Sequence, residues 1–132
     1  MSHYISNKLR EIVVKRAGHC CEYCRLPLED SFFPYHIDHI ISLKHGGQTV
    51  LNNLTLSCML CNINKGSDIG TVLLPDRIFI RLYNPRIDKW NEHFEFSEAA
   101  IYAKTSVGKA SIKVLKLNEV ERVVERQVIG LK

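Results

Sequence analysis

The chemistry-bearing residues of this 132-residue chain are grouped, and its five cysteines give the clearest signal. Cys21-Glu22-Tyr23-Cys24 and Cys58-Met59-Leu60-Cys61 are two Cys-x-x-Cys pairs with 33 residues between them. Two intervening residues let both sulfurs of a pair turn toward one ion, and two pairs supply the four thiolates of a tetrahedral zinc site. A dithiol redox pair and metal-free buried cysteines are the competing readings. Redox Cys-x-x-Cys normally occurs once, in a thioredoxin-like βαβ context that this chain lacks. The expected ligands of a structural zinc are therefore Cys21, Cys24, Cys58 and Cys61. Four thiolates leave no position open to a substrate. Cys20 is left as a spare thiol.

Between and just after the pairs lie His36-Ile37-Asp38-His39-Ile40-Ile41, His45-Gly46-Gly47, Asn52-Asn53-Leu54 and Asn62-Ile63-Asn64-Lys65-Gly66. A carboxylate is a hard ligand for magnesium-type ions, and an imidazole titrates near neutrality, so Asp38 and His39 together could hold a metal and activate a water. Taken singly, each has a plainer reading: Asp38 as a cap, His39 as a core imidazole, Asn53 as a turn residue. His36 shares a strand face with Asp38, where it either sits beside the metal or simply packs.

These residues need elements to carry them. Ile5, Leu9, Ile12 and Val13 recur at helical spacing over 6–17, with Ser6 and Gly18 as caps. Residues 20–24 read as a tight turn. Phe32 to Leu43 reads as a strand centred on 36–41, residues 45–48 as a loop, Leu54 to Leu56 as a brief strand and Cys58 to Lys65 as a short helix. Beyond Gly70, strands are expected at 78–83 and 100–104, a helical turn at 90–94 and helices at 107–117 and 119–129. Asn118 and Glu121 have capping-box spacing at the start of the last.

With these motifs in place, the chain resembles the HNH (His-Asn-Asn in this sequence) endonucleases of the ββα-metal class, in the subgroup braced by a four-cysteine zinc site. The resemblance rests on Cys21/Cys24, Ile37-Asp38-His39-Ile40-Ile41, His45-Gly46-Gly47, Asn53-Leu54 and Cys58-x-x-Cys61-Asn62-x-x-Lys65-Gly66. Tyr83-Asn84-Pro85-Arg86 and Trp90-Asn91-Glu92-His93-Phe94 are similar to the tail of one bacterial branch. It implies a single α+β domain over 1–132, with a ββα core at about 18–68, an N-terminal helix and a C-terminal extension from 71 packed on it. It also implies a one-metal DNA phosphodiesterase. In that scheme His39 is the general base, Asp38 and Asn62 bind a catalytic divalent ion (magnesium or manganese), and Asn53 orients the loop and the His39 ring. The third motif position, usually histidine, is Asn62, whose amide oxygen can still ligate magnesium.

The net charge of +4 permits an anionic partner without demanding one. Lys65, Arg25 and Lys44 are the expected phosphate contacts, and Lys109, Lys113 and Lys116 form a basic stripe on one helical arc. A composition of 45% hydrophobic and 24% charged residues excludes disordered and collagenous classes. No apolar run reaches a membrane span and the first residues lack a signal-peptide core, so a cytoplasmic protein is expected, as monomer or homodimer. The alternative function is a catalytically silent, zinc-braced nucleic-acid-binding module.

Overall fold

A computed structural model describes residues 4–30 and 34–131. Its centre is an antiparallel hairpin of β1 (Tyr35–His39) and β2 (Leu54–Cys58), in which Asp38 pairs with Thr55 and His39 with Leu54. Every residue of β2 is buried, and Leu54 and Leu56 pack with Ile5 and Val13. Val13 belongs to helix α1 (Asn7–Arg16), which starts where the Ser6 hydroxyl accepts from Leu9 N. Arg16 does more than suit the helix dipole: its guanidinium donates to Leu51 O and Leu54 O, at 2.8 and 2.6 Å, fixing α1 to the entry of β2.

Helix α2 (Met59–Lys65) follows β2 without a loop, because Cys58 is both the last strand residue and the helix N-cap. Its sulfur accepts from Cys61 N at 3.4 Å. The order strand, loop, strand, helix is thus the expected one, and the architecture is α+β. Strand β1 is shorter than expected: Ile40 and Ile41 have left the ladder, and Ile40 N is satisfied by Asn53 O instead. Phe32, where the strand was expected to begin, lies outside the described residues.

The second half adds two hairpins, β3 (Gly70–Leu73) with β4 (Ile78–Arg81) and β5 (Phe94–Ser97) with β6 (Ala100–Ala103). One strand of each is not expected from the sequence: Gly70-Thr71-Val72-Leu73 is too short to show a period, and Phe94, which opens β5, falls at the end of the helical turn expected at 90–94. That turn is α3 (Trp90–His93). Trp90, Phe94, Ile101, Leu115 and Leu117 pack with Tyr23, Leu26 and the four cysteines in one core, so the C-terminal half covers the cysteine pairs. Trp90 Nε1 donates to Tyr23 O across this seam at 2.8 Å.

Helix α4 (Ser106–Leu115) packs on α2, β3, β4 and β6. It needs Gly108, since a Cβ there would stand 2.2 Å from His93 O. Helix α4 ends two residues early, with Lys116 in the left-handed conformation at φ 52°, so the expected three-lysine stripe does not share one helix. The capping box also fails. Helix α5 (Val120–Val128) is entered from Glu119 without a side-chain cap, while Asn118 accepts from Ile101 N and donates to Ile101 O. The backbone of β6 claims both ends of the Asn118 amide before the helix can. No helix among the described residues is long and apolar enough to cross a membrane.

Glu22, inside the first cysteine pair, ties the halves together. One carboxylate oxygen accepts from Thr55 Oγ1 and Leu56 N, and the other pairs with Arg86 Nη2. Both side chains are largely buried, so Arg86→Met leaves an uncompensated carboxylate and is expected to cost about 3–5 kcal/mol. Urea unfolding of the variant checks this; an unchanged midpoint would show the pair to be dispensable.

Candidate metal and catalytic site

Four sulfurs of Cys21, Cys24, Cys58 and Cys61 lie within 4.8 Å of one another and all four residues are buried. Cys24 Sγ and Cys58 Sγ are 3.7 Å apart, close to the spacing of about 3.8 Å that Zn–S bonds of 2.3 Å impose in a tetrahedron. The turns aim backbone N–H groups at the sulfurs as well, Cys24 N to Cys21 Sγ at 3.5 Å and Cys61 N to Cys58 Sγ. Hydrogen bonds from Cys21 hold the Cys24 and Cys58 thiols down, while burial pushes Cys21 and Cys61 up. A dication lets all four ionise, so the donor set fits zinc. Cys20 stands outside the cluster.

The second constellation sits at the end of β1. Asp38 is mostly buried, and its Oδ2 has no hydrogen-bond partner among the described residues. Burial raises its pKa, against the opposing pull of Lys65 and of the His39 backbone. Its ion pair with Lys65, 3.6 Å away, leaves acceptor capacity on the carboxylate that a hard divalent cation could use. His39 Nε2 lies 2.9 Å from Thr49 Oγ1, which fixes the ring plane.

Asn53 clamps the loop that carries Thr49. Its Oδ1 accepts from Ile41 N, and its Nδ2 donates to Ile41 O and Gln48 O, each at 2.9 Å. Its amide thus ties Ile41 to Gln48 through their backbones, while the His39 ring is bonded by Thr49. Gly47 is required here, because a Cβ would meet Ile41 O at 1.7 Å and Asn53 Nδ2 at 2.8 Å. Asn62 is half-buried on α2, one turn before Lys65, with its carbonyl accepting from Gly66 N. His36 is half-buried opposite Ser57, on the face it shares with Asp38.

One of the three expected phosphate contacts needs correction. Lys65 is only 2% exposed; its Nζ donates to His39 O at 3.1 Å and lies 3.6 Å from Asp38 Oδ2. A buried carboxylate draws the nearest ammonium inward, so Lys65 organises the strand end and does not face solvent. Arg25 lies over the Trp90 ring, its guanidinium 5.3 Å from the centroid. Lys44 alone is exposed as expected, on the turn Leu43–His45. No role was assigned from the sequence to Thr49, Glu22 or Arg86. Two of them carried a signal, Glu22 as a carboxylate caught between two ligand cysteines and Arg86 as the end of the Tyr83-Asn84-Pro85-Arg86 motif.

Comparison with known proteins points to the same segment of the chain. Residues 21–68 match the family model described as HNH endonuclease. Over 123 residues, 91% of this chain, the sequence is 27% identical to the Septu protein PtuB of Bacillus thuringiensis. The chain spans 45% of the length of that relative. No solved structure matches the chain.

Proposed function

With residues 21–68 an HNH endonuclease domain as the premise, we propose that the protein is a metal-dependent endonuclease that hydrolyses DNA phosphodiester bonds. The observation that supports the reading best is the largely buried Asp38 carboxylate beside His39, with Lys65 Nζ 3.6 Å from its Oδ2, on a strand end that Asn53 and Lys65 hold in place. Paired with one ammonium and accepting no hydrogen bond at Oδ2, that carboxylate keeps acceptor capacity for a cation.

In this reading Asp38, with the Asn62 amide oxygen, holds magnesium or manganese. When bound, the ion would neutralise a non-bridging phosphate oxygen and the departing 3′ oxygen. His39 takes the proton of the attacking water. The contact between Nε2 and Thr49 Oγ1 holds the ring in position for that step. Lys65 positions the strand end from within, and Lys44 is the exposed cation nearest in sequence to the Gly46-Gly47 loop. The products expected are 5′-phosphate and 3′-hydroxyl ends. The cysteine site, filled by zinc, has only a bracing role.

The test is incubation of the purified chain with supercoiled plasmid. Relaxation or cutting is expected with magnesium or manganese and none with excess chelator. Plasmid left intact by protein holding its zinc, across a panel of divalent ions, would overturn the reading in favour of a silent binding module.

A further inference from the structure

Helix α5 is attached in an unusual way. Its buried residues are Arg122 and Arg126, while Val120, Val124 and Val128 are 76, 48 and 78% exposed. An apolar stripe at i, i+4 and i+8 normally docks a helix. Here two guanidinium groups do so instead, and they are placed differently. Arg126 spends its donors on oxygens, Ala99 O, Leu117 O and Asn118 Oδ1. Arg122 Nη1 likewise donates to Leu115 O and Lys116 O at the end of α4. Arg122 Nη2 is aimed at sulfur, 2.9 Å from Cys61 Sγ and 3.7 Å from Cys58 Sγ.

We infer that Arg122 is the charge partner of the four-cysteine centre, donating to the metal-bound sulfurs of Cys61 and Cys58 and so tying the hold on the metal to the docking of α5. The inference rests on zinc occupying that centre. Four thiolates around a dication carry a net charge of −2, and a buried dianion is costly unless cations or N–H donors face it. The two donors from the turns are neutral amides, whereas Arg122 brings a full positive charge into the same buried space. Its planar fork also reaches sulfur and the α4 carbonyls at once, which an ammonium cannot do. The coupling is reciprocal: a helix held by thiolate charge loosens when that charge is lost.

The experiment compares the zinc-loaded chain with Arg122→Met, Arg122→Lys and Arg126→Met. Zinc content of the unaltered chain comes first; less than one zinc per chain defeats the zinc reading itself. Zinc affinity is then measured by competition with a chromophoric chelator, and the cobalt-substituted proteins are examined for their sulfur-to-cobalt charge-transfer band. Removing a partner of a metal ligand typically costs about 10–100-fold in affinity, and Arg122→Met is expected within that range. Its cobalt band should move to longer wavelength, because thiolate lone pairs lose a donor. Arg122→Lys, which keeps the charge if the methionine variant does not fold, should show a smaller loss and a smaller move. Arg126→Met should lower stability while keeping zinc affinity and the band unchanged. The inference is overturned by unaltered affinity and band position in the Arg122 variants, or by Arg126→Met reproducing their effects.

Discussion

His39→Ala will stop plasmid cleavage while leaving the protein folded. General-base removal typically costs about 10²–10⁴-fold, which in a plasmid assay is loss of detectable product. The framework should survive: the imidazole's bond to Thr49 is lost, but the loop clamp and the strand-end bond do not pass through the ring. Asn53 bonds to Ile41 and Gln48, and Lys65 bonds to the His39 carbonyl, which alanine retains. Circular dichroism, zinc content and DNA retention should therefore match the unaltered chain. Cleavage at the original rate would remove His39 from the mechanism.

The second large effect is on folding. The Cys58 sulfur is a candidate metal ligand, the N-cap of α2 and a neighbour of Arg122. Structural zinc sites contribute about 10–16 kcal/mol at neutral pH, as much as the whole stability of about 5–15 kcal/mol that a domain usually has. Cys58→Ala is expected to leave the chain without a cooperative melting transition, and chelation of zinc should do the same to the unaltered protein. Cys20→Ala is the matched control and should melt normally, since Cys20 lies outside the cluster. A cooperative transition at the original temperature in Cys58→Ala would show that the core stands without metal.

The chain declared the parts of the site that depend on local spacing. Two Cys-x-x-Cys pairs bring four sulfurs together because each turn is a local structure and β2 runs straight into α2. The Asp38-His39 pair and Asn53 were legible for the same reason, each within a few residues of the turn or strand end that aims it. Lys65 was misjudged because a lysine at a helix end looks solvated in sequence; its burial depends on Asp38, 27 positions earlier, being short of a partner. Arg122 was invisible for a stronger version of that cause. Nothing near it in the sequence says that a helix with three valines on one stripe will turn its arginines inward, one of them to the cysteine sulfurs. The capping box at Asn118 shows the converse, a valid local rule losing to the backbone of β6.

The account turns on whether the Asp38 carboxylate is a metal ligand in a centre separate from the cysteines. Electron paramagnetic resonance of manganese added to the zinc-loaded chain measures this without relying on activity. One bound manganese per chain is predicted, lost in Asp38→Asn while zinc content stays the same. Manganese bound equally by the unaltered chain and the variant, or by neither, would contradict it.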